Sequence, residues 1–172
     1  MKTYVITLSR EFPKKHSLNG KPTFFRIAFK FGQMCQKCRK PVDDCRQDCC
    51  VGHPKKHTIR ANYDLWRDRV KEIQEGNACL SVREWTGSPY RSKQREIARL
   101  TAEDGVGIQR LQFDRDINGQ PSVDSFDIDG KYCQPETLAN NDGLELYQWR
   151  EWFKDYDLTK PMAIIHFTNY RY

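Results

Sequence analysis

The stretch Lys55-Lys56-His57-Thr58-Ile59-Arg60 crowds two lysines, a histidine, a threonine and an arginine into one turn-to-strand passage. Ammonium groups such as those of Lys55 and Lys56 suit phosphate contacts. Arg60 suits either a planar fork onto phosphate or carboxylate, or a salt bridge across the mouth of a fold. His57 has the chemistry of a base or a ligand, although a histidine inside a strand is more often packed and hydrogen-bonded. A threonine hydroxyl such as that of Thr58 is a poor nucleophile unless a neighbouring base takes its proton. The residue types alone leave three roles open: binding a ligand, doing chemistry, or closing a fold.

Directly upstream is a cysteine cluster. Five of the seven cysteines lie between Cys35 and Cys50. The pair Cys35-x-x-Cys38 is spaced to grip one metal ion, and Cys45, Cys49, Cys50 and His53 follow. Zinc takes four thiolate or imidazole donors in a tetrahedron. The expected set is Cys35, Cys38, Cys45 and either Cys49 or Cys50, with His53 as a substitute. Residues 33–54 are polar and cannot build a core, so this inserted loop needs a staple. A closed four-ligand site leaves no position for water, so the zinc is expected to be structural. Cys79 and Cys133 stand alone and read as small buried hydrophobes.

Charge is unevenly spread. Residues 1–60 hold 14 Lys/Arg against 4 Asp/Glu, whereas residues 101–172 hold 7 against 13. A basic first third and an acidic last third suggest a side that faces a polyanion. The turn from Trp85 to Lys93 adds a second candidate surface. It interleaves Trp85 and Tyr90 with Arg91 and Lys93, and aromatic faces stack bases while cations neutralise phosphates.

A chain of 172 residues is long enough for one domain with a core of its own. No apolar run approaches the roughly 20 residues of a membrane span. The first residues read as a strand rather than a signal peptide, so a cytoplasmic protein is expected.

The alternation from Thr3 to Leu8 predicts a first strand. Pro22 is placed to open a helix with Phe24, Phe25, Ile27, Ala28 and Phe31 on its apolar face, and Gly32 to end it. His57–Ala61 predicts a short strand. Asn62 is a natural N-cap for a helix over Tyr63–Glu75, with Trp66 in the core. Strands are predicted at 78–85, 94–100, 106–113 and 123–128, with turns at Asn118-Gly119 and Asp129-Gly130. A helical turn over 135–140, a helix over 144–156 and a last strand over 162–167 complete the chain. This order is α+β, and a small mixed β-barrel flanked by helices is its natural closure.

Thr58-Ile59-Arg60, Leu80-Ser81-Val82-Arg83 and the ending Asp142-Gly143-Leu144 … Trp149 … Trp152-Phe153 … Pro161-Met162-Ala163-Ile164-Ile165-His166-Phe167 together resemble the ASCH domain, a branch of the PUA-like barrels. The resemblance spans Thr3 to Phe167 apart from the cysteine insertion. It implies a PUA-like barrel beside a cleft for RNA or a nucleobase-like ligand. Some small members hydrolyse the acetyl amide of acetylcytidine. Their lysine, threonine and acid fall here on Lys55, Thr58 and Asp142, the acid being one methylene shorter than the family's glutamate. A desolvated lysine is a competent base for the threonine, and a carboxylate can orient the amine.

The expected function is therefore binding of nucleic acid, RNA foremost, or of a modified nucleoside, through Lys55, Lys56, Arg60, Trp85, Tyr90, Arg91 and Lys93. Two alternatives are amide hydrolysis of an acetylated nucleoside and a zinc-dependent protein-interaction module. For Asp142 the competing expectation is a cap on the last helix.

Overall fold

The computed structural model describes residues 1–34, 40–41 and 53–172. The expected metal ligands Cys35, Cys38, Cys45, Cys49 and Cys50 lie outside the described residues. In chain order the elements are β1 (Lys2–Leu8), α1 (Phe25–Gln33), β2 (His57–Arg60), α2 (Tyr63–Gln74), β3 (Ala78–Trp85), β4 (Gln94–Leu100), β5 (Gly107–Arg115), β6 (Pro121–Ile128), β7 (Lys131–Tyr132), α3 (Pro135–Asn141), α4 (Leu146–Phe153) and β8 (Met162–His166). A single 3₁₀ turn, Ala102–Asp104, joins β4 to β5.

The fold is α+β, with its eight described strands in two sheets. The first runs β1-β3-β4, and the second β2-β8-β5-β6-β7. β1 pairs with β3 in parallel. β3 therefore has neighbours on both edges, and Ala78 to Val82 are buried without a break, as a strand covered on both faces requires. In the second sheet β8 lies between β2 and β5, and all five of its residues are buried. The predicted aliphatic last strand thus sits inside its sheet, one place from the edge strand β2. The core joins Ile6, Leu8, Val70, Ile73, Leu80, Val82, Leu111, Ile128, Trp149 and Ile164 across both sheets and the helices. Cys79 and Cys133 are buried and unpaired, as expected. Among the described residues no helix is long and apolar enough to cross a membrane.

Local sequence signals explain most boundaries. Asn62 caps α2 by accepting from the Leu65 N–H, which satisfies one of the donors a helix start leaves unpaired. Asp129 and Gly130 both take left-handed φ, +51° and +77°, the pair a two-residue hairpin needs. Two helices differ from expectation. α1 begins at Phe25, not at Pro22, because the Thr23 hydroxyl donates to the Ser9 carbonyl at 2.6 Å and Phe24 takes a left-handed φ of +58°. α4 begins at Leu146 because Glu145, with Gln148, forms a capping box. Asp142 is instead the C-cap of α3, which corrects its expected role as a cap on the last helix.

The start and end of the cysteine-bearing segment meet. The Lys55 N–H donates to the Ala28 carbonyl of α1 at 2.9 Å. A Cβ built on Gly32 would lie 2.3 Å from the Lys55 carbonyl oxygen, so only glycine lets the backbone past.

Candidate functional site

Lys55 is the point where three elements converge. Its backbone is bridged to Asp142 just before β2 begins, and the following N–H, of Lys56, donates to the Asn141 carbonyl at 2.8 Å. Gly143 then turns the chain away with φ +79°, and a Cβ there would lie 3.2 Å from Lys55 Cβ and 3.3 Å from Ala28 Cβ. Both the backbone angle and the space call for glycine.

This geometry carries Lys55 inward. The side chain is 1% exposed, and Nζ donates to Asp142 Oδ1 at 2.5 Å and to the Asp142 carbonyl at 2.6 Å. The ammonium also lies 4.1 Å from the centre of the Phe25 ring. Burial pushes the Lys55 ammonium below its ordinary value and the Asp142 carboxyl above its own, and their mutual attraction opposes both shifts. Desolvation penalises each charged form, so a low-lying lysine and a high-lying acid are the expected result. Of the roles open for Lys55, the inward position favours a base or a clamp over a surface phosphate contact.

The neighbours of the pair are equally buried. Thr58 is 3% exposed and shares a face of β2 with Arg60, since alternate strand residues point the same way. Among the described residues no hydrogen bond joins its hydroxyl to Lys55 or Asp142. Two of the three expected catalytic groups are therefore in contact, and the third is on the adjoining strand. The Arg60 guanidinium donates to the carbonyls of Thr7 and Ile59. It spends its fork on backbone rather than on a carboxylate, although the Asp142 charge still acts on it.

His57 faces a different set. Its Nε2 is 2.7 Å from the Tyr172 hydroxyl, which also accepts from Asn141 Nδ2. Among the described residues its Nδ1 has no hydrogen-bond partner, and it lies 3.8 Å from Asp142 Oδ1. Directly across the sheet stands His166, also fully buried, with neither ring nitrogen bonded among the described residues. Burial holds His57 well below the ordinary histidine range and His166 down at about 3. Both rings are neutral near neutral pH.

Two clefts adjoin above the pair. One, of about 400 Å³, is lined by Ala28, Gly143, His53 and Lys21; the other, of about 270 Å³, by Arg10, Phe25, Arg26 and Glu84. They share Pro22, Thr23, Phe24 and Ile27. Phe25 thus closes the second cleft from below while covering the Lys55 ammonium. The buried Glu84 carboxylate meets Arg95 and, at 3.5 Å, Arg26. The lining holds two cations, Arg10 and Arg26, and two carboxylates, Glu11 and Glu84, and Arg95 adds a further cation against Glu84.

The remaining expected contacts are not gathered in these clefts, for Lys56, Trp85, Tyr90, Arg91 and Lys93 line neither. Arg10 donates to the carbonyls of Trp85 and Thr86, which ties the Trp85–Lys93 turn to the rim. Trp85 and Tyr90 rings pack at 5.3 Å, and Tyr90, Arg91 and Lys93 are exposed. Lys56 is half-buried with its ammonium 4.4 Å from the Tyr170 ring. His53 Nε2 is 2.7 Å from Glu145 Oε1.

Arg10, Phe24 and Arg26 were not singled out by sequence reasoning. Phe24 was assigned to the buried face of α1, whereas it is 63% exposed. The missing signal was the left-handed turn, which sequence does not announce when the residue is phenylalanine. Among the described residues no group of three or more His, Cys, Asp or Glu side chains is arranged to hold a metal. Compared with protein-family models, curated proteins and solved structures, the chain matches none.

Proposed function

We propose that this chain binds nucleic acid, RNA foremost, or a modified nucleoside in the paired clefts beside α1. We propose also that its two sheets are the arms of a PUA-like, ASCH-type barrel. The carrying observation is the second cleft, whose lining brings Arg10 and Arg26 together with Phe24 and Phe25. Guanidinium groups pair with phosphate and stack on bases, and an apolar floor takes the base itself. The test is titration of a single-stranded RNA oligonucleotide at several salt concentrations. Affinity is expected to fall steeply with salt and to weaken on Arg26→Ala. Salt-independent binding, or none, would count against the reading.

A second reading, hydrolysis of an acetylated cytidine, is favoured by the contact of Lys55 with Asp142. Burial favours the neutral amine that a base must be. In this reaction the Thr58 hydroxyl oxygen attacks the acetyl carbon while Lys55 takes its proton. The carbon–nitrogen bond breaks and the leaving amine of cytidine takes the proton. Water then hydrolyses the acetyl ester on Thr58, releasing acetate. Acetate release from acetylcytidine, abolished by Thr58→Ala with binding retained, is the expected result for this reading. No release by the unaltered protein leaves binding alone.

The cysteine cluster supports structural zinc on sequence grounds. His53 fits as an optional fourth ligand: Glu145 occupies Nε2, and a carboxylate on one ring nitrogen commonly orients the other toward a metal. Metal analysis of the purified protein is expected to find about one zinc per chain, the count that a single four-ligand site implies. No zinc, with the thiols of Cys35, Cys38, Cys45, Cys49 and Cys50 freely reactive, would overturn it.

A further inference from the structure

Two exposed aromatic residues of this chain are held in backbone conformations that aromatic residues rarely adopt. Phe24 has φ +58° and is 63% exposed, and Tyr90 has φ +63° and is 91% exposed. A non-glycine residue with left-handed φ persists only where its surroundings fix it, and such outliers gather at binding sites. Both are fixed here. The Phe24 carbonyl accepts from the Ile27 and Ala28 N–H groups, and Thr23 before it is tied to Ser9 and Arg10. Tyr90 packs on Trp85, and the next N–H, of Arg91, donates to the Ser88 carbonyl. Both rings stay largely exposed, so burial in the core does not account for their positions.

The two lie on one connected surface. Phe24 is the ridge shared by both clefts, and Arg10 lines one of them. Arg10 in turn donates to Trp85 and Thr86 at the base of the turn that carries Tyr90. Along this path stand Lys21, Arg26, Arg91 and Lys93. Glu11 and Glu84 line it too, and Glu84 faces both Arg26 and Arg95, so five cations stand against two carboxylates. The path is therefore cationic with an aromatic face toward each end.

Resting on the binding reading above, we propose that Phe24 and Tyr90 are the two stacking platforms of a track for single-stranded nucleic acid, with Arg10 at its midpoint. Each ring takes the face of one unstacked base, and the cations follow the backbone between them. Paired bases keep their faces covered, so a duplex offers neither platform a partner. A ring held by its backbone spends little entropy on ordering, which gives the strain a purpose.

The experiment is fluorescence anisotropy with a labelled oligouridine of about 12 nucleotides, within the site sizes usual for such grooves. Phe24→Gly and Tyr90→Gly are each expected to weaken binding about tenfold while leaving the salt slope unchanged. Arg91→Ala or Lys93→Ala is expected to reduce that slope by about one. Phe24→Trp is expected to keep the affinity. Glycine also relieves the left-handed backbone, so both glycine variants are expected to melt at or above the temperature of the unaltered protein, which separates lost stacking from lost folding. Oligouridine binding that is salt-dependent but indifferent to both glycine variants would overturn the track and leave the binding reading standing. Equal affinity for a duplex of the same length would also overturn the track. No binding by the unaltered protein would remove both.

Discussion

Lys55→Met is expected to destabilise the fold by about 3–5 kcal/mol in urea unfolding at neutral pH, the usual cost of orphaning one half of a buried ion pair. Asp142 is 4% exposed and would keep a carboxylate with no ammonium beside it. The cost arises from that stranded charge more than from the lost attraction, which predicts two further results. The double variant Lys55→Met with Asp142→Leu is expected to recover most of the loss, because neither charge is then buried. The single variant is also expected to regain stability as pH falls. Burial already raises the Asp142 carboxyl above its ordinary value, and without Lys55 only the more distant Arg60 charge opposes that rise. A group whose folded value lies above its unfolded value favours the folded state at low pH and ceases to do so as pH rises through the folded value. A loss below about 1 kcal/mol, the range of exposed pairs, would show that solvent reaches the pair.

Acid is expected to weaken the unaltered protein through its two buried histidines. His166 is held at about 3, against 6.5 for a free side chain, chiefly by burial and then by the Arg171 charge. His57 is depressed in the same direction by burial, by His166 and by the two lysines beside it. The unfolded chain therefore binds protons that the folded one refuses. Stability is full above the unfolded value and declines as pH falls toward the folded ones. From about pH 7 to about pH 4.5 the contribution of His166 alone is about 2.5 kcal/mol, since each unit between the two values is worth about 1.4 kcal/mol. Urea midpoints measured across that range provide the check. His166→Phe is expected to flatten the slope. An unchanged slope in that variant would mean that His166 takes up its proton as readily in the folded protein as in the unfolded chain.

The architecture was legible where one physical cause acts alone. β3 and β4 fall at their expected limits, because a run of apolar or alternating residues bounded by Gly76, Pro89 and Thr101 leaves few other choices. α2 was legible because Asn62 and the Trp66, Val70, Ile73 spacing agree. The contact of Lys55 with Asp142 was reached only through the family resemblance, for 87 residues separate the two and no local pattern joins them. The start of α1 was misplaced because two signals competed there. Pro22 is a good first helical residue, but the Thr23 hydroxyl offers the backbone a local alternative, and that alternative prevailed. His57 and His166 face each other only because β2 and β8 pair in one particular register. The short strand β7 left no signal, being two residues long.

The closure at Gly32 and Lys55 has a consequence for chain length. The backbone leaves the end of α1 and returns to the same place, so the two ends of the intervening segment are already pinned. The entropic cost of closing such a segment grows only with the logarithm of its length, about 0.6 kcal/mol for each doubling. The folded domain is therefore nearly indifferent to how many residues are carried there. The chain has in effect a socket at this point, and the cysteine-rich stretch is the cargo it holds.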